Sequence, residues 1–270
     1  MSQNQYPYEN PRPLAPPTVS NTAGVANPAA SLGRPARAAP PGVRATPSTL
    51  GVVPDARLQA AFLQHAFLWM FLGLLLTAAV AFVVQSNERL LGFASSFYFL
   101  LLIGQLGLVV AISAAINRIS ASAALGLFFA YAASLGVTMG LFVSYYTTGS
   151  VAAAFLSASA MFGAAAVYGA VTKRSLANLG GFLFMGLIGL LVAMLVNIFI
   201  ASSTVSLAIS VLGVVIFTVL TAYDVQRIQA GDYAAATGSM EKAAVIGALK
   251  LYLDFINLFL FMLRLMGGRN

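Results

Sequence analysis

The stretch GALKLYLDFINLFLFMLRL, residues 247–265, carries only three charges, Lys250, Asp254 and Arg264, among its nineteen residues. As a helix rising ~1.5 Å per residue it covers nearly the ~30 Å of a bilayer's hydrocarbon layer. Its neighbours decide between a membrane span and a buried core helix. Apolar runs of similar length lie at about 62–84, 95–116, 121–144, 151–171, 180–201 and 206–226, and this last run at about 244–265 makes seven. Short polar gaps separate them: SNER, INRIS, YYTTGS, TKRSLAN, ASSTVS and RIQAGDYAAATGSMEK. Of the 270 residues, 60% are hydrophobic and 8% charged, against about 25% charged in a soluble domain. With so little polar surface, lipid must solvate part of the molecule. The expected fold is an all-α membrane protein, a seven-helix bundle over residues 58–270.

Residues 1–57 read differently. All eleven prolines lie between Pro7 and Pro54, among Ala, Ser, Thr and Gly. Proline removes a backbone donor and fixes φ, and no apolar period offers a face to bury. A disordered, proline-rich tail is expected. No apolar run follows a basic start, so the tail is not read as a secretory signal. Its segment YPYENPRPLAPP (6–17) suits a polyproline ligand for an SH3-like or WW-like partner, and suits a solvated spacer better.

Lys and Arg set the expected orientation. The tail and the second, fourth and sixth gaps hold Arg12, Arg34, Arg37, Arg44, Arg57, Arg118, Lys173, Arg174, Arg227 and Lys242. The first, third and fifth hold only Arg89. The N-terminus is therefore expected in the cytoplasm. Seven crossings put Arg264 and Arg269 on the far side, against the charge rule, so the last helix either crosses regardless or re-enters. The net charge of +7 follows from this loop pattern and calls for no nucleic-acid partner. The chain has no cysteine and one histidine, which excludes disulfides, thiol catalysis and a multi-histidine metal site. Gly136 and Gly140 form a GxxxG spacing, and Gly163, Ala166, Gly169, Gly186 and Gly189 offer similar close-approach faces, expected to pack this bundle. Trp69, Tyr145 and Tyr146 fit the interfacial belt.

Two acids lie inside the apolar runs. Asp224 sits in SVLGVVIFTVLTAYDVQRI (210–228), near the cytoplasmic end of the sixth span, and Asp254 lies about ten residues into the seventh. An ionised carboxylate in a helix in lipid costs about 2.5–3.5 kcal/mol on insertion scales, so such groups face a bundle interior or a wet cavity and mark function. Lys250, Asp254 and Asn257 share one helical face by spacing. The plainer possibility is that Asp254 only bridges Lys250 or an arginine to brace the bundle. If the two carboxylates meet, they cannot both ionise cheaply, and they titrate as a unit that senses physiological pH.

TAYDVQRI (221–228) and GALKLYLDFINLFLFMLRL (247–265) resemble the two signature stretches of the transmembrane Bax inhibitor motif family. TKRSLANLGGFLFMGLIGLLVAMLVNIFIASS (172–203) is similar to its bacterial members, which favours a bacterial cytoplasmic membrane. The resemblance runs from about residue 58 to the end. It implies seven helices with the C-terminal one central, and a pH-sensitive calcium leak in which Asp224 and Asp254 form the sensing pair. It also implies an arginine latch on the first aspartate, for which Arg118 is the nearest position. Where some members carry a glutamate in the second helix, this chain has Gln105.

Three functions compete on these residues. In the leading one, calcium passes along a path gated by protonation of the pair. Calcium favours six to eight oxygen ligands, and Asp224, Asp254, Asn257 and Thr221 with water make a loose, transient site, with Gln105 further along the path and Lys250 weakening cation attraction. No resident cofactor is expected. An intramembrane aspartyl protease shares the Tyr223-Asp224 pair. Its second motif should read GxGD, whereas the chain reads LYLD, and no proline follows Pro54. His65 stands alone, so serine-protease logic fails too, and no enzymatic activity is expected. The third function is regulatory, with other membrane proteins as partners and the tail as contact arm. A proton-coupled transporter is less favoured, because the hydropathy shows no inverted repeat.

Overall fold

The computed structural model describes residues 56–268, and among these all regular structure is helical. The expected tail lies outside the described residues except for its last two, which begin α1. The helices are α1 (Ala56–Gln85), α2 (Glu88–Ser96), α3 (Tyr98–Ala115), α4 (Ala121–Val143), α5 (Thr148–Val171), α6 (Leu179–Ile200), α7 (Ser203–Gln229), α8 (Asp232–Thr237) and α9 (Met240–Met266). Seven of them, all but α2 and α8, are long and apolar enough to span a membrane.

Polar residues in the gaps start the helices. Side-chain oxygens of Asn87, Ser120, Thr147, Ser202 and Ser239 accept from the first-turn N–H groups of α2, α4, α5, α7 and α9, each cap contributing about 1 kcal/mol. The gap between α5 and α6 is pinned by Gln226 of α7. Its Oε1 accepts from Leu176 N at 2.7 Å, and its Nε2 donates to the Arg174 carbonyl at 2.9 Å.

The C-terminal helix α9 is the axis. Of its most apolar eighteen residues 72% are buried, against at most 44% in any other span. It packs on α1, α4, α5 and α7, while α3 rests chiefly on α4 and α6 chiefly on α7. These last two helices turn large apolar side chains outward, with Phe99 78% and Phe199 88% exposed, a surface that only lipid solvates.

α9 runs from one end of the bundle to the other. At one end Lys242 Nζ donates to the Asn117 carbonyl between α3 and α4. At the other, Thr147 N, just before α5, donates to the Gly268 carbonyl, and Gly268 N donates to Ser150 Oγ in the first turn of α5. The 27 residues of α9 reach about 40 Å at ~1.5 Å each.

Small residues set the helix spacing. A Cβ on Gly136 or Gly140 would meet backbone carbonyls of α1 at 2.8 Å, so the GxxxG face of α4 lies directly on α1. Gly169 of α5 sits closer still to the backbone of α7 at Ala222, two residues from the acid on that helix. Gly163 and Gly189 face open space, and Gly186 only touches Ile216.

Candidate functional site

Two elements of the core bring the acids together. On α7 Asp224 is 3% exposed, and on α9 Asp254 is 2% exposed. Both line a cavity of about 230 Å³ between α6, α7 and α9. The walls are apolar, mainly Leu187, Leu190, Met194, Phe217 and Phe261, and Lys250 and Asn257 complete the polar side. Lys250 and Asp254 are one turn apart on α9 and Asn257 nearly another, so one helical face supplies three polar groups.

The two carboxylates differ in support. Asp224 Oδ1 accepts a hydrogen bond from the Tyr233 hydroxyl at 3.0 Å. Asp254 Oδ2 is buried with no hydrogen-bond donor at all. Neither acid is in an ion pair: among the described residues the one salt bridge joins Arg227 Nε to Asp232 Oδ2 at 3.0 Å. Asp254 is therefore not simply braced by Lys250.

Tyr233 belongs to α8, the short helix after α7. Gly231 precedes it with φ 77° and Gly238 ends it with φ 63°, left-handed values that glycine adopts without strain. This double turn folds the chain back over the C-terminal end of α7 and buries the Tyr233 ring. Arg227 fixes the ring from outside, with its guanidinium carbon 4.8 Å from the ring centroid and its Nε on Asp232. Burial first, and next the charge of Asp224, push the Tyr233 hydroxyl above the ordinary tyrosine range. It therefore stays protonated, and a donor, throughout the physiological range.

The other expected site residues lie apart from this cavity. Thr221 is fully buried, and its Oγ1 donates to the Phe217 carbonyl within α7 at 2.8 Å. Gln105 is buried between α3 and α4, where Nε2 donates to the Ser134 carbonyl at 2.9 Å and reaches Ser134 Oγ and Thr138 Oγ1 at 3.2 Å. Arg118 is exposed between α3 and α4, with no bond to Asp224. The position a latch would take on Asp224 is held by Tyr233, and Arg227 is turned away to Asp232.

Asn257 Nδ2 donates to the Leu253 carbonyl at 2.8 Å, which leaves its side-chain oxygen as an acceptor for the cavity. The acceptors of the site are thus two carboxylates and one amide oxygen, opposed by one ammonium group.

Among proteins of known sequence, this chain is 40% identical over 225 residues to the inner membrane protein YbhL of Escherichia coli strain K12, covering 81% of this chain and 96% of YbhL. It is 44% identical over 214 residues to an uncharacterized protein of Borreliella burgdorferi, covering 77% and 92%. It is 37% identical over 212 residues to uncharacterized protein RP147 of Rickettsia prowazekii, covering 77% and 90%. The family described as "Inhibitor of apoptosis-promoting Bax1" matches residues 59–270. With the seven apolar helices around α9, this match places the chain in the Bax inhibitor motif family of membrane proteins.

Proposed function

We propose that this protein is a pH-sensitive leak path for calcium and other cations, gated by protonation of the Asp224–Asp254 pair, with no enzymatic activity. The observation that carries the reading is Asp254 Oδ2, a buried carboxylate oxygen without a donor, beside a cavity it shares with a second buried acid. Two carboxylates around one apolar cavity cannot both hold charge cheaply. Either a proton or a cation relieves them, so the two compete for the pair.

Calcium is the cargo, and a weak site suits its passage. The carboxylates and Asn257 supply fewer oxygens than the six to eight that a storage site uses, so water completes the shell and release stays fast. Lys250 lowers cation affinity further, in the direction that favours transit. Tyr233 keeps Asp224 oriented while the pair gains and loses its proton.

The lipid bilayer, calcium and protons are the partners of this reading, in a bacterial inner membrane with the N-terminus in the cytoplasm. The basic residues Arg118, Lys173, Arg174, Arg227 and Lys242 support that orientation, since all lie in the gaps or the helix turns beside them at one end of the bundle. The test is calcium flux into proteoliposomes from pH 5 to 8, with Asp224→Asn and Asp254→Asn beside the unaltered protein. Flux that depends on pH, and becomes pH-blind or vanishes in either variant, supports the leak. No flux above empty liposomes at any pH refutes it and advances the regulatory role, in which residues 1–57 bind membrane-protein partners.

A further inference from the structure

The end of the bundle opposite Lys242 holds a second polar site, made of different residues. Two adjoining cavities open there, one of about 590 Å³ between α4, α6, α7 and α9 and one of about 400 Å³ between α6, α7 and α9, and both are lined by Asn197, Ser206 and Arg264. Two of these groups lack a protein partner among the described residues. Among the described residues Arg264 makes no ion pair, the one salt bridge being elsewhere, and no acid lines either cavity. Asn197 Oδ1 is buried without a donor.

A guanidinium at the edge of an apolar bundle is retained where an anion or water offsets its charge. Its planar fork matches carboxylate and phosphate oxygens two at a time. The surroundings select between these. Ser202, Ser203 and Ser206 add hydroxyl groups to the floor, donors suited to an ion with several free oxygens, while the Ser210 hydroxyl is spent on the Ser206 carbonyl. The walls include Ile198 and Leu207, 71% and 57% exposed, so a polar floor opens directly onto an apolar, lipid-facing flank. A phospholipid offers the same pairing, a phosphate joined to apolar chains.

We propose that Arg264, with Asn197 and Ser206, forms a binding site for a phosphate group, presented by a phospholipid headgroup or by free phosphate. The site is independent of the aspartate cavity and stands whether or not the protein conducts calcium.

The test follows thermal stability and binding of the purified full-length protein with three additions: a short-chain phosphatidylglycerol, inorganic phosphate, and a diacylglycerol of the same chains. Phosphatidylglycerol should stabilise the protein and diacylglycerol should not, with affinity falling about tenfold or more in Arg264→Gln and partly restored in Arg264→Lys. Inorganic phosphate that acts as strongly as the lipid assigns the site to free phosphate; no effect of inorganic phosphate assigns it to the headgroup. Arg118→Gln, an exposed arginine at the other end, should leave the response unchanged. Equal stabilisation by diacylglycerol, or a full response in Arg264→Gln, overturns the proposal.

Discussion

Tyr233 donates its hydroxyl to Asp224 Oδ1 at 3.0 Å from a helix that begins only after α7 has ended. A donor that cannot ionise near neutral pH thereby fixes one acid of the pair and leaves the other unsupported. Tyr233→Phe removes the donor and keeps the ring over which Arg227 stacks. A hydrogen bond to a charged group contributes about 1.5–3 kcal/mol, so the variant should fold, with a lower Tm. Its pH response of flux should move, since Asp224 has lost the group that favours its charge. An unchanged pH midpoint would remove Tyr233 from the gate.

The same tyrosine gives a stability prediction at alkaline pH. Its folded pKa is raised above the unfolded value of about 10. The stabilisation is fully present below that unfolded value and is lost as pH rises beyond it. Unfolding followed by circular dichroism should show stability falling above about pH 10, with a smaller fall in Tyr233→Phe. Parallel curves for the two proteins would mean that the hydroxyl is not the group responsible.

If protons and calcium compete for Asp224 and Asp254, binding one must release the other. Apparent calcium affinity should fall as pH drops, and adding calcium to lightly buffered protein should release protons. Asp224→Asn and Asp254→Asn should each abolish the release, and the double variant should add nothing further, because both act on one shared unit. Proton release that persists in Asp254→Asn would place the calcium elsewhere.

The spans were legible because a bilayer imposes length: nothing but apolar runs of about twenty residues satisfies it, and all seven stand out between polar gaps. The short helices were not. α2 lies almost wholly ahead of the run read from residue 95, its break from α3 at Phe97 falls where no proline or glycine punctuates the chain, and α8 is buried in a sixteen-residue polar gap. The acids announced themselves because charge in an apolar run is costly. Tyr233 did not, since a tyrosine in a polar gap costs nothing; the signal was Gly231 two residues before it, which permits the return of the chain. Thr221 and Gln105 sit in apolar helices as polar residues do, yet both spend their donors on neighbouring oxygens away from the cavity.

Beyond the site, Thr77 joins three helices. Its Oγ1 lies 2.6 Å from the Tyr252 hydroxyl and donates toward the Gly73 and Ala132 carbonyls at 2.9 Å. Thr77→Val keeps the shape and strands the Tyr252 hydroxyl, at a cost of about 1–3 kcal/mol. The Tm should fall by several degrees, and the additional change Tyr252→Phe should recover part of the loss by removing the stranded group. No recovery would mean that the hydroxyl finds another partner.

Two glycines of α5 separate packing from propensity. Alanine is favoured over glycine inside a helix by about 1 kcal/mol, so Gly163→Ala, facing open space, should leave stability unchanged or raise it. At Gly169 the added methyl meets the Ala222 carbonyl of α7 too closely for any rotamer to relieve, and α5 must back away. Overpacking of this kind costs about 1–3 kcal/mol, which outweighs the propensity gain, so Gly169→Ala should lower the Tm. Because Ala222 is two residues from Asp224, it should also alter the pH dependence of flux, while Gly163→Ala should not. Equal behaviour of the two variants would show that the approach of α5 to α7 does not position the acid.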